Sequence, residues 1–172
     1  MDDFVTLPLD REDILSRSSR SRQALLNALE RLPDDQFSHS PDDEWSPATV
    51  LRHVVWVEYY WTALVQAMQG SGQLTLDVDK VVSEKLAREA CRLAETPPEP
   101  LPEPPPYATR DEALQGLADS RRAFADVVTS LTSADVQRRF SSPRGVSSLR
   151  FAIEHVIEHD WDHALQIASL RP

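Results

Sequence analysis

The stretch Trp45-Ser46-Pro47-Ala48-Thr49-Val50-Leu51-Arg52-His53-Val54-Val55-Trp56-Val57-Glu58 reads as the opening of a long helix. Ser46 carries a hydroxyl that caps free backbone N–H groups, and Pro47 fits the first helical position, where its missing N–H costs nothing. The helix should continue to about Gln69, where Gly70-Ser71-Gly72 offers a C-cap and a turn. That is about six turns at 3.6 residues each.

Upstream, Arg11 to Leu32 places Ile14, Leu15, Leu25, Leu26, Leu29 and Leu32 with helical spacing in its second half, and Pro33-Asp34-Asp35 stops it. Downstream, Asp77 to Ala94 predicts a shorter amphipathic helix through Val78, Val81, Val82, Leu86 and Leu93. Residues 96–106 contain seven prolines in eleven positions, which implies an extended connector without a hydrogen-bond ladder. Helical periodicity returns from Arg110 to Leu131. Ser133-Ala134-Asp135 begins a short turn, Pro143-Arg144-Gly145 breaks it, and Ser147 or Ser148 can cap a last helix running to about Leu170. Four long helices with long connections predict an all-α, four-helix bundle with crossovers, in one domain over residues 1–172.

Composition agrees with that class. Only 4 glycines among 172 residues disfavour a turn-rich β design, and 41% hydrophobic residues suffice for one core. A formal charge of −10 argues against nucleic acid and anionic membranes as partners, since both recruit clustered Lys and Arg. Arg17, Arg20 and Arg22 form a local basic cluster, which reads as a solvated helix stripe. One cysteine, Cys91, allows no disulfide within the chain and reads as a small buried hydrophobe. With no apolar span of about 20 residues and no secretory pattern at the N-terminus, the expected location is the cytoplasm.

The distinctive chemistry lies in histidines. On the last helix, His155, His159 and His163 follow one another at spacings of four. Residues four apart lie about 40° apart around the axis and roughly 6 Å along it, so His159 and His163 can grip one ion. His155 lies about 80° from His163 and suits a supporting or packing role. The pair alone leaves a metal site and ordinary amphipathic packing equally open. A further ligand must come from another helix. His53, on one stripe with Trp56 and Tyr60, faces the bundle interior, whereas His39 sits in a polar segment and is left aside.

The segment from Trp45 to Val54, with a tryptophan and a helix cap before His53, resembles the first signature of the DinB superfamily. His155-Val156-Ile157-Glu158-His159-Asp160-Trp161-Asp162-His163-Ala164-Leu165-Gln166-Ile167 resembles the second, two histidines four apart before a glutamine-isoleucine pair. Ala164-Leu165 departs from the Arg-Gly of many relatives. The resemblance implies a four-helix bundle, often a homodimer, with one divalent ion (Zn, Ni or Fe) on His53, His159 and His163.

Three imidazoles leave coordination positions open, as catalytic sites do. The resemblance favours a transferase or isomerase that employs a low-molecular-weight thiol as cosubstrate. A metal-dependent hydrolase and a non-enzymatic, stress-linked interaction protein are the alternatives. Trp56, Tyr60 and Gln166 are candidates for lining the substrate cavity, and Glu158 and Asp162, each next to a ligand, for orienting an imidazole or acting as a base. Glu58, Glu154 and Asp160 could serve in the same ways, but most of these five carboxylates read as solvated.

Overall fold

A computed structural model describes residues 9–40, 44–69, 105–142 and 145–170. The long helices are α1 (Arg11–Glu30), α2 (Pro47–Met68), α3 (Arg110–Ser130) and α4 (Leu149–Ser169). The predicted helix at 77–94 and nearly all of the proline-rich connector lie outside the described residues. Among those described, no helix is long and apolar enough to cross a membrane.

Each helix starts on a side-chain cap. Asp10 accepts from the Asp13 N–H, Ser46 from Thr49, Thr109 from Glu112 and Ser148 from Phe151, at 2.9–3.2 Å. Thr109 and Glu112 close a reciprocal capping box. The other ends are managed differently, because none of these four helices carries a basic residue in its last turn. Arginines from elsewhere supply the positive charge that exposed carbonyls attract. Arg11 donates to Leu131 O at 2.8 Å, Arg110 to Leu29 O and Leu32 O at 2.8 Å each, and Arg138 to Met68 O at 3.0 Å.

Two apolar clusters fix the helix directions. One joins Ile14 of α1, Leu64 and Met68 of α2, Phe124 and Val128 of α3, and Leu149 and Ile153 of α4. The second joins Leu25 and Leu29, Val50 and Leu51, Leu117, and Ala164 and Ile167. The start of α1 therefore meets the start of α4 and the ends of α2 and α3. The helices run up, down, down and up. Parallel α2 and α3 call for a crossover between them, as the long connection anticipates. A two-stranded antiparallel hairpin, β1 (Arg139–Ser142) with β2 (Gly145–Ser148), carries the chain from α3 into α4. The sequence reading expected only a break at Pro143-Arg144-Gly145, since runs this short and rich in serine give no alternating apolar signal.

Between the clusters lies a layer of buried charge, one part from each helix. Arg22 donates from Nε to Asp160 at 3.0 Å, from Nη2 to Glu58 at 2.6 Å and from Nη1 to Leu117 O at 2.7 Å. Arg121 contacts Glu58 at 3.0 Å and also pairs with Asp160. The Ser120 hydroxyl donates to Glu58 at 2.5 Å, and that of Ser21 to Asp160 at 3.4 Å. Burial alone would lower the Arg22 pKa, but the pull of Glu58 and Asp160 outweighs it and the net shift is upward. Burial dominates at Arg121, helped by the neighbouring Arg22 charge, and lowers it.

Three expectations are corrected here. Arg22 is not part of a solvated stripe, although Arg20 is exposed and Arg17 pairs with Glu154 at 2.6 Å. Glu58 and Asp160, expected in solvent, are 2% and 1% exposed. The reason is the same for all: each falls on its helix's inward lattice, three or four residues from Leu25, Val54 and Val156, and opposite charges meet there.

Candidate metal centre

His53 stands two turns into α2, and His159 and His163 one turn apart on α4. Their rings meet where the two antiparallel helices touch, with centroids 5.0 Å apart for His53 and His159, 5.2 Å for His53 and His163, and 4.3 Å for His159 and His163. His159 Nε2 lies 3.2 Å from His53 Nε2 and 3.1 Å from His163 Nε2. All three residues are half-buried, and their ligand atoms lie within 4.8 Å of one another.

An imidazole nitrogen carries either a proton or a lone pair in the ring plane. His159 Nε2 therefore cannot donate to one neighbour while accepting from the other, so a hydrogen-bond chain does not account for the cluster. A cation does. Metal–nitrogen bonds of about 2.0–2.1 Å, at angles between about 90° and about 109°, hold two nitrogens about 2.8 to about 3.4 Å apart. The two short contacts fall inside that range, so the residues present fit a divalent ion.

The protonation states agree. Burial, followed by the neighbouring His163, His53 and His155 rings and by Arg22, pushes His159 down to about 3. Burial also lowers His163, partly opposed by its hydrogen bond to Gln166 and by Asp162 and Asp160. Both rings are neutral at pH 7, as ligation requires. His163 Nδ1 lies 2.7 Å from Gln166 Oε1. With that oxygen accepting, the proton sits on Nδ1 and the Nε2 lone pair faces the cluster.

Beside His53 and His163 opens a cleft of about 600 Å³ lined by Glu44, Trp45, His53, His163, Gln166 and Ser169. Trp45 packs edge-on against His53 with centroids 5.0 Å apart. Of the other candidates, His155 stays outside the triad, between Phe151 at 5.9 Å and Trp61 at 5.3 Å. Trp56 and Tyr60 do not line this cleft and stack on each other at 5.9 Å. Glu158 and Asp162 are exposed, and Asp162 acts on the site through its charge on His163.

Sequence reasoning overlooked Glu44 and Ser169 as lining residues. It noted Trp45 only as part of a signature. The available signal was position: Glu44 and Trp45 immediately precede the Ser46 cap, and Ser169 follows Gln166 by three. Near His53, the Arg52 guanidinium lies 5.0 Å above the Tyr107 ring. The Tyr107 hydroxyl fills the space a side chain on Gly116 would need, so the close approach of residue 107 to α3 depends on that glycine.

The family model of the DinB superfamily matches residues 18–167. A solved four-helix bundle protein, TT2238, is similar at 18% identity with a TM-score of 0.62, over 93% of this chain and 99% of its own. YfiT from Bacillus subtilis, described as a probable metal-dependent hydrolase with an unusual four-helix bundle topology, is similar at 14% identity and a TM-score of 0.62. That match covers 92% of this chain and 86% of YfiT. At these identities the two likenesses speak for the fold alone. No protein of curated function matches the sequence significantly.

Proposed function

The chain belongs to the DinB superfamily, and we propose that it is a metal-dependent enzyme whose His53, His159 and His163 hold one divalent ion and whose nucleophile is a low-molecular-weight thiol. The convergence of three imidazole nitrogens, with His53 and His163 at the wall of an open cleft, carries this reading. Such a ligand set suits Zn, Ni or Fe. A divalent ion with open positions brings the pKa of a thiol or a water toward neutrality.

The protein's own residues then hold and orient. Gln166 fixes the tautomer of His163, and Trp45 limits the tilt of His53. Glu58 and Asp160 are engaged by Arg22 and Arg121 in the buried layer and do not line the cleft. That favours a nucleophile needing no separate base, which a thiol already ionised at the site satisfies. Glu44, the carboxylate in the cleft, supports a second reading: as general base for water it would serve a hydrolase, the activity ascribed to YfiT.

The test is a titration of 2-mercaptoethanol into cobalt-loaded protein. The thiol reading expects a saturable near-ultraviolet charge-transfer band. Unchanged cobalt absorption at millimolar thiol would overturn it and leave the hydrolase.

A further inference from the structure

The cleft beside the triad has an uneven charge. Among the described residues that line it, one is a carboxylate, Glu44, and none is Lys or Arg. Among the described residues, Arg22 and Arg121 are engaged in the buried layer and Arg52 over Tyr107. The chain as a whole carries −10, so the surrounding field is not positive. Gln166 and Ser169 on the wall are neutral and polar. Gln166 Oε1 is occupied by His163, which leaves its amide NH2 to donate. The Ser169 hydroxyl donates to Gln166 O at 2.7 Å, which leaves its oxygen to accept. Trp45 is 40% exposed and offers a flat apolar surface next to His53.

From this we propose that the cleft selects its thiol by charge, taking neutral or cationic thiols and rejecting carboxylate-bearing ones, with Glu44 as the specificity-determining residue. The inference rests on the thiol reading above. A ligand ammonium pairs with Glu44, and hydroxyl or amide groups meet Gln166 and Ser169. A ligand carboxylate meets Glu44, and among the described residues of the cleft wall there is no Lys or Arg to balance it, the bound ion's charge being shared with the thiolate sulfur. Trp45 receives the carbon skeleton through its ring face, which also favours a nearby cation.

The experiment compares three small probes on cobalt-loaded protein at low ionic strength: cysteamine, 2-mercaptoethanol and 3-mercaptopropionate. Dissociation constants come from the cobalt absorption. Intrinsic differences between the thiols cancel when the cysteamine to mercaptopropionate ratio is compared across wild type, Glu44→Gln and Glu44→Lys. At several ångströms in a water-like dielectric each unit charge is worth about threefold. Glu44→Gln should therefore cut the preference for the cation by about tenfold, and Glu44→Lys should cut it further. Salt at about 1 M should flatten the wild-type preference without any substitution. If all three thiols bind and the ratio is unmoved by both variants and by salt, charge selection is overturned while the thiol reading stands. If no thiol perturbs the wild-type metal, both fall.

Discussion

Replacing Arg22 with Met should be among the most destabilising single changes in the protein. The Arg22 side chain is 7% exposed and those of Glu58 and Asp160 are 2% exposed, so the exchange removes a desolvated cation shared by two desolvated carboxylates. It also removes the charged donor to Leu117 O, which keeps the Ser120 hydroxyl. The layer passes from two positive and two negative groups to one and two. Removing one partner of a buried pair costs about 3–5 kcal/mol, a large part of the roughly 5–15 kcal/mol that stabilises a domain. With a urea slope of about 2 kcal/mol/M, the midpoint of the metal-free protein should fall by about 2 M. Charge balance gives a sharper test. Arg22→Met with Asp160→Asn restores one cation facing one anion, so the double variant should be at least about 1 kcal/mol more stable than Arg22→Met alone. Exposed Arg20→Met should change stability by no more than about 0.5 kcal/mol. A loss below about 1 kcal/mol for Arg22→Met, or a double variant less stable than the single, would refute the argument that the layer acts as a balanced unit.

Removing the arginine that caps α1 from α3, by Arg110→Ala, should cost about 1.5–3 kcal/mol in urea denaturation, because two carbonyls lose a charged donor. Gln166→Leu should leave the fold intact but weaken zinc binding about 10- to 100-fold in chelator competition, since His163 loses the partner that fixes its tautomer. In the metal-free protein, His159 titrates near 3 when folded and near the ordinary histidine value when unfolded. The unfolded chain takes up that proton first, so the stability is fully present above pH 6.5 and lost as pH falls toward 3, at up to about 1.4 kcal/mol per pH unit. Between about pH 6.5 and 5, before carboxylates dominate the titration, denaturation midpoints of His159→Gln should fall less steeply than those of wild type.

Much of this architecture was legible in the sequence because its signals are local. Ser46-Pro47, the break at Pro33 and the apolar lattice of α3 each report a helix without reference to its neighbours. The pairing of His53 with His159 and His163 was legible for a different reason: i, i+4 spacing on one helix leaves a gap that a histidine facing inward from another helix can fill. The charge layer was harder to read. Arg22, Glu58, Arg121 and Asp160 sit on buried lattice positions, but whether a charge there is neutralised depends on which helices meet at that height, and that is fixed only by packing. Trp56 and Tyr60 share the stripe of His53, yet the cleft opens toward the start of α2 and the end of α4, so Trp45 and Ser169 line it instead. The direction in which a site opens is a property of the helix ends and not of the stripe.

The most direct test of the three-histidine centre is the metal content of protein purified without an affinity tag or chelator, measured by plasma mass spectrometry for wild type and His159→Ala. About one ion per chain of Zn, Ni or Fe in wild type, falling to a small fraction in the variant while the helical circular dichroism is retained, is the predicted result. Equal trace metal in both proteins, with no uptake when zinc is added, would contradict the account.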